Sequence, residues 1–318
     1  GEKVPYDRLL VATGSRPFVP PMQGLEGVKD CFSFMTMDDM LALEGALSPE
    51  KNVLVIGAGL IGLKCVEGIL ARVKSVTVVD MADRILPSIL DKEGAALVQR
   101  GLEAKGVKFV LADSAARFEG NTACLKNSGA AINFDILVVA VGVRANTELV
   151  KEAGGEVNRG IVVDKGMHTT LADVYAAGDC AEGYDSSIGA NRVLALLPNA
   201  YFQGYTAGVN MAGGMAVHDD AIPMNAIGFF ETNVLTAGTY EGEVIAEITP
   251  DKYKKLFIKD GRLAGFILIN DFLRAGIYTS LVREKTPLEE VDLELLEHCP
   301  QLLAFGKDAR KHKLAQRV

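Results

Sequence analysis

Six residues, Gly57-Ala58-Gly59-Leu60-Ile61-Gly62, leave few folds open to the segment around them. They follow a short apolar run, Val53-Leu54-Val55-Ile56, of the kind a strand buried on both faces requires. They open onto residues 60–72, where Ile61, Cys65 and Ile69 recur at helical spacing. Strand, glycine turn and helix in that order make a dinucleotide fingerprint. Gly57 permits the tight turn, Gly59 lets a pyrophosphate approach the backbone, and Gly62 lets the helix pack close to the strand. Leu60 and Ile61 belong to the first turn of that helix, whose free N–H groups and positive end face the phosphates. A second buried strand, Val76-Thr77-Val78-Val79, ends at Asp80, and a carboxylate there accepts from both hydroxyls of an adenosine ribose. A 2′-phosphate beside it would be repelled, which predicts NADH over NADPH, with Arg84 placed to soften the preference. After Gly62 stands Leu63-Lys64-Cys65, so the turn is not a P-loop, which needs Lys and then Ser or Thr.

The rest of the chain repeats the theme. Residues 92–105 read as a helix, and 107–111 and 136–141 as further strands, so strands alternate with helices as in a parallel sheet. Three more strand ends carry small residues: Ala12-Thr13-Gly14, Ala140-Val141-Gly142 and Ala176-Ala177-Gly178-Asp179. Ligands of open α/β sheets bind at such edges. Prolines 17, 20 and 21 break regular structure and mark a crossing between domains. Residues 6–12, 160–164 and 173–177 read as strands, and 200–212 as a helix ending in Gly213-Gly214. From residue 221 the texture changes. Residues 226–240 are rich in β-branched and aromatic side chains, and Asp260-Gly261 between 253–259 and 262–269 is a two-residue hairpin signal. Two helices, 271–283 and 288–297, follow. The basic tail with Lys307, Arg310, Lys311, Lys313 and Arg317 reads as a solvated helix end.

Composition narrows the function classes. At 318 residues, 49% apolar and 23% charged, the chain suits a globular protein of two or three domains. Its 33 glycines outnumber its 11 prolines, as turns that approach a ligand closely require. The balance of 33 basic and 41 acidic residues, net −8, offers no general field for nucleic acid or anionic lipid. The longest apolar run stops at Arg144, far short of the roughly 18–20 residues of a membrane span. The first residues lack the layout of a secretory signal. Cys31, Cys65, Cys124, Cys180 and Cys299 form no C-x-x-C pair, and the four histidines are scattered. The expectation is no protein-bound metal, and reduced, mostly buried thiols in a cytoplasmic protein.

Residues 6–17 (YDRLLVATGSRP), the Gly57-to-Asp80 fingerprint, 138–146 (VVAVGVRAN) and 173–180 (DVYAAGDC) together resemble four ordered motifs. They are those of the FAD-dependent pyridine nucleotide–disulfide oxidoreductase superfamily. The C-terminal third resembles the terminal domain of NADH-dependent rubredoxin reductases and nitrite reductase flavoproteins. The resemblance implies an α/β fold in which a Rossmann-like NAD(H)-binding domain, 21–148, is inserted in a truncated FAD-binding domain, 1–20 and 149–218. An α+β interface domain, 219–318, follows, with a homodimer as its implied assembly. It implies that Gly57, Gly59, Gly62 and Asp80 hold NAD(H), with Gly142 lining the nicotinamide side. Thr13 and Gly14 would lie along FAD. Asp179, after Gly178, would accept from the ribityl chain, and the helix near Ala200 would point its N-terminus at the flavin.

The implied function passes electrons from NADH through FAD to a redox protein or small acceptor, with no side chain named as acid or base. Two alternatives stand beside it: a CoA-disulfide or thiol reductase of the same superfamily, and a non-catalytic NAD(H)-binding module. His298-Cys299-Pro300 resembles only superficially the His-Pro acid/base motif of the thiol reductases. The chain departs from the family twice. Lys64 stands where a Glu is usual; it either stabilises negative charge on a reduced flavin or snorkels to solvent. Family chains also carry another FAD-binding βαβ unit before the first motif, so the sequence is expected to be a fragment or truncated form.

Overall fold

The computed structural model describes residues 2–315, without the side chain of His312. Arg317 of the basic tail and the outermost ends of the first and last domain ranges lie outside the described residues. In chain order the first elements are β1 (Leu9–Val11), β2 (Ser15–Pro17), β3 (Cys31–Phe32), α1 (Met37–Ala46), β4 (Asn52–Ile56), α2 (Leu60–Ile69), β5 (Ser75–Val79), α3 (Lys92–Ala104) and β6 (Lys108–Val110). Then come β7 (Ala115–Glu119), β8 (Thr122–Leu125), β9 (Ala131–Asn133), β10 (Ile136–Val139), β11 (Val143–Ala145), α4 (Glu148–Glu152), β12 (Ile161–Val162), β13 (Val174–Ala176), β14 (Ala181–Asp185), β15 (Ala190–Arg192) and α5 (Leu197–Met211). The last are β16 (Met224–Phe229), β17 (Thr232–Gly238), β18 (Glu243–Ile248), β19 (Tyr253–Lys259), β20 (Arg262–Ile269), α6 (Gly276–Glu284), α7 (Leu293–His298) and α8 (Lys307–Ala315).

These elements divide into two compact units. One comprises Arg16–Arg144 with Gly228–Thr232; the other takes residues up to Ser15, Ala145–Ile227 and those from Asn233 on. The centre of the first unit is a parallel sheet in the order β3-β10-β4-β5-β6. Its inner strands are apolar on both faces because both are covered: Leu54, Val55, Val76, Val78, Ile136, Leu137 and Val138 are all inaccessible. α2 buries Leu63, Cys65, Val66 and Ile69; of the expected stripe Cys65 and Ile69 are buried, while Ile61 in the first turn is only half-buried. α3 begins where the Asp91 carboxylate accepts from the Gly94 N–H, and α1 begins at a capping box of Thr36 and Asp39. Register fixes the site: Val139 pairs with Ile56, and Ile56 with Val79. Gly57, Asp80 and Ala140 therefore follow neighbouring strands at one carboxyl edge.

Beside this sheet lies a three-stranded antiparallel sheet, β7-β8-β9, that the alternating pattern does not announce. Its mixed residues and short strands carry too little period-two signal. Asp113 ties the approach to it. Its buried carboxylate accepts from the Ser128 hydroxyl at 2.6 Å and from the N–H groups of Asn127, Ser128 and Ser114. The Ser128 hydroxyl and then the Asn127 N–H hold this carboxyl well below the usual carboxylate range. A carboxyl depressed in the folded state adds stability above its unfolded value, about pH 4, and that contribution is lost as pH falls below it. The melting temperature of the protein should therefore drop more steeply below about pH 4 than that of Asp113→Asn. Parallel slopes would contradict this.

In the second unit β1 pairs in parallel with β13, Val11 opposite Ala176, so Thr13-Gly14 and Ala177-Gly178-Asp179 leave the sheet side by side. Val11 shares a core with Val150, Ile161, Val163, Tyr175 and Ala207, which joins the chain's first strand to residues far along it. The first strand is shorter than its sequence suggests, three residues rather than 6–12. α5 starts at Leu197, ahead of the expected Ala200, because Pro198 suits a first helical turn. The C-terminal sheet runs β16-β17-β20-β19-β18 and packs on α6 and α7 around Leu256, Phe266, Tyr278, Leu281 and Leu296. Its Asp260-Gly261 turn has φ +52° and +67°, the two positive values of a type I′ hairpin. α6 begins at Gly276 rather than 271, since Arg274 before it has φ +56° and cannot be helical.

Candidate functional site

At the carboxyl edge of the parallel sheet each glycine of the fingerprint answers to a different physical demand. Gly57 has φ +113°, and a Cβ there would stand 2.3 Å from the Ala140 carbonyl oxygen. A Cβ on Gly62 would stand 2.0 Å from the Gly57 carbonyl oxygen, so α2 could not seat against its own turn. Gly59 is different: its φ is −83°, and a Cβ would meet nothing within 4 Å. The protein itself does not require glycine there, and close approach of a ligand to the backbone is the remaining reason. Leu60 and Ile61 form the first turn of α2; that turn has no side-chain cap and no acidic residue in it. Its leading N–H groups are available to an anion.

Asp80 closes the turn. One carboxylate oxygen accepts from the Ala58 N–H at 2.6 Å and the other from the Ala82 N–H at 2.7 Å. A carboxylate offers about four lone-pair positions, so two remain for ribose hydroxyls. Sequence reasoning assigns Asp80 to the ligand and misses this first duty of fixing the glycine turn. Arg84 is engaged elsewhere: Nε donates to the Leu90 carbonyl, one terminal nitrogen pairs with Asp83 at 2.8 Å and the other donates to the Pro87 carbonyl. It would have to leave three partners to meet a 2′-phosphate. Gly142 has φ +113° and open space where a Cβ would be, and its carbonyl accepts from Phe18 N–H.

The Lys64 side chain is 44% exposed and has protein partners as well. Its ammonium pairs with Glu67 one turn along α2 and donates to the Gly228 carbonyl, near the face of Phe229. The other Glu67 oxygen accepts from Phe230 N–H at 2.5 Å. Phe230 sits at φ +52° in the turn between β16 and β17, a position where bulky residues are strained. Lys64 and Glu67 together hold that turn on α2, and Lys105 holds it on α3 through Glu231 at 2.8 Å.

The other sequence-predicted residues gather in the second unit. Thr13 and Gly14 are tied to Asn146, through Thr13 Oγ1 to the Asn146 carbonyl at 2.7 Å, Asn146 Nδ2 to the Thr13 carbonyl at 2.8 Å, and Asn146 N–H to the Gly14 carbonyl at 2.9 Å. Asp179 accepts from the Ser15 hydroxyl at 3.0 Å. Gly178 has φ +81° and donates its N–H to Gln203 Oε1, while the Ala200 Cβ lies 3.7 Å from where a Gly178 Cβ would stand. A side chain larger than Ala at 200 would crowd this turn. Ser15, Asn146 and Gln203 escape sequence reasoning because they act on backbone brought together from far along the chain. α5 has no side-chain cap and no acidic residue in its first turn, so its N-terminus, like that of α2, keeps unpaired donors.

The residues present fit two nucleotide-like groups, one in each unit: a cradle free of Cβ atoms, an uncapped helix end and a carboxylate with spare acceptor capacity. They do not build a thiol site. The five cysteines are unpaired, Cys65 and Cys180 are buried, and burial pushes the Cys65 thiol up to about 12 and raises that of Cys31. Among the described residues no cluster of His, Cys, Asp and Glu is set to hold a metal ion, and no helix is long and apolar enough to cross a membrane.

Comparison with known proteins finds relatives over most of the chain. Residues 1–204 match the family model described as pyridine nucleotide-disulphide oxidoreductase, and residues 223–286 match that of the rubredoxin NAD+ reductase C-terminal domain. The chain is 33% identical over 301 residues to the NADH-dependent phenylglyoxylate dehydrogenase subunit epsilon of Aromatoleum evansii, covering 91% of this chain and 71% of that one. It is 37% identical over 215 residues to an NADH oxidase of Methanocaldococcus jannaschii, covering 65% of this chain and 47% of that one. Against the assimilatory nitrate reductase electron transfer subunit of Bacillus subtilis the identity is 32%, over 84% of this chain and 35% of the relative. Beyond the first of these, the chain spans about half or less of each relative's length. Among solved structures, the NAD-dependent persulfide reductase of A. fulgidus superposes with a TM-score of 0.82 at 27% identity, covering 90% of this chain and 58% of that one. Putidaredoxin reductase in its covalent complex with putidaredoxin superposes at 0.84 and 22% identity over 99% of this chain and 76% of that chain, a likeness of fold.

Proposed function

The chain belongs to the pyridine nucleotide-disulphide oxidoreductase family, and from that premise we propose that it takes part in moving electrons from NADH through FAD to a redox protein or small acceptor. The observation that carries this reading is the pairing of one uncapped, Cβ-free glycine turn in each unit with a carboxylate at its side. Residues 21–148 are the NAD(H)-binding domain, 1–20 and 149–218 belong to the FAD-binding domain, and 219–318 form the interface domain of a homodimer. The core shared by Val11 and Ala207 supports the second of these assignments. Unpaired thiols suit a reducing compartment, and we place the protein in the cytoplasm.

FAD, when bound, supplies hydride acceptance and onward electron transfer. The protein's part is to bind and orient. The α2 N-terminus and the backbone at Gly57, Gly59, Leu60, Ile61 and Gly62 hold the pyrophosphate of NADH, and Asp80 holds its ribose. Gly142 leaves room for the nicotinamide. Thr13, Gly14, Gly178, Asp179 and Ala200 would hold the flavin side, where the N–H groups at the start of α5 would supply positive potential. Redox-protein acceptors are supported by relatives whose names carry that role, among them nitric oxide reductase flavorubredoxin–NAD(+) reductases. The test is NADH oxidation with ferricyanide as acceptor, with and without added FAD. Oxidation that depends on FAD is expected; NADH binding with no oxidation in either case would favour a non-catalytic module.

A further inference from the structure

His218 is a buried histidine, 7% exposed, packed against the first turn of α5 and stacked on Phe202 at 5.9 Å between ring centres. It lines a small cavity with Leu196, Pro198, Asn199, Asp220 and Arg283. Its Nε2 lies 2.9 Å from Asn199 Oδ1. The Asn199 amide is not free to turn round, because its Nδ2 donates to the Leu194 carbonyl at 3.0 Å. An oxygen therefore faces Nε2, and Nε2 must carry a proton. On the other side of the ring, Nδ1 lies 3.4 Å from an Asp220 carboxylate oxygen. Both ring nitrogens thus lie beside acceptor oxygens, which a doubly protonated ring would satisfy together.

The charges around the ring support this. Asp220 comes from its own segment, with one carboxylate oxygen toward Nδ1. Arg283 of α6 stands 3.9 Å from the other Asp220 oxygen. Asp219 is turned to Lys165 at 3.3 Å, and α5 contributes only neutral groups, Asn199 and Phe202. Nothing in the sequence motifs singles out His218, and the reading of the cofactor sites does not use it.

We propose that His218 is a charged positioning residue: an imidazolium between Asn199 and Asp220 that fixes the first turn of α5 and sets a buried positive charge behind that helix end. The role toward the cofactor rests on the proposed reading that α5 points its N-terminus at the flavin. There the charge adds to the helix dipole and stabilises negative charge on the reduced ring.

Two readouts test this and fail separately. The first is the ring nitrogen resonances of His218 at pH 7 in protein labelled with 15N-histidine, assigned by their loss in His218→Gln. Both nitrogens should be proton-bearing, and Asp220→Asn, which keeps shape, should leave Nδ1 bare; a bare nitrogen in the unmodified protein overturns the imidazolium. The second is the flavin midpoint potential of the FAD-loaded protein. His218→Gln should lower it, and an unchanged potential overturns the role toward the flavin. Failure to take up FAD at all would instead count against the proposed function, while the nitrogen resonances still decide the charge.

Discussion

Gly62→Ala should cost the protein both stability and NADH binding, whereas Gly59→Ala should cost binding alone. The added methyl at 62 meets the Gly57 carbonyl oxygen at 2.0 Å and its carbon at 3.1 Å. Both are backbone atoms, so relief requires α2 to move off its turn. Overpacking of this kind costs about 1–3 kcal/mol and sometimes more. The displaced helix end also loses its aim at the pyrophosphate, so NADH affinity should fall at least about tenfold, which corresponds to 1.4 kcal/mol. At Gly59 the methyl enters open space in the protein, and the melting temperature should stay close to that of the parent. The same methyl stands where the pyrophosphate approaches, so NADH should bind at least about tenfold more weakly there too. Melting curves and calorimetry with NADH on the two variants separate the effects. Unimpaired binding by Gly59→Ala would contradict the placement of the phosphates.

Asp80→Ala should have the second large effect, a collapse of cofactor preference. The carboxylate accepts from Ala58 and Ala82, and hydrogen bonds to a charged group contribute about 1.5–3 kcal/mol each. Its loss loosens the glycine turn and removes the ribose acceptor, so kcat/KM for NADH should fall by one or two orders of magnitude. NADPH should lose less, because the repulsion of its 2′-phosphate disappears with the carboxylate. Arg84 is committed to Leu90, Asp83 and Pro87, so NADPH should not become the better substrate. Comparison of kcat/KM for the two nucleotides in both proteins checks this. A preference for NADH unaltered by the substitution would remove Asp80 from specificity.

The parallel sheet was the most legible part of the chain. Val53-Leu54-Val55-Ile56 and Val76-Thr77-Val78-Val79 are nearly continuous apolar runs because both faces of each strand are covered, and such runs are hard to mistake. The Asp260-Gly261 hairpin was equally plain, since few residue pairs accept two positive φ values. β7, β8, β9 and β18 were not, since short or exposed strands have no strong period to read. The glycine turn was legible down to single residues, but the reasons differ among its members. Gly57 and Gly62 are demanded by the fold, and only Gly59 has open space where a Cβ would stand. The surroundings of Lys64 could not be read from its position, because Gly228, whose carbonyl its ammonium meets, lies far along the chain. Ser15, Gln203 and His218 were hidden for the same reason: their meaning depends on contacts that only the folded chain creates.

The central claim is that this chain brings NADH and flavin to one reaction, and anaerobic mixing of the FAD-loaded protein with NADH tests it most directly. The absorption of oxidised flavin should bleach within a single turnover, more slowly with NADPH, and more slowly again with NADH in Gly59→Ala. Absorption that stays unchanged although calorimetry registers bound NADH would contradict the account.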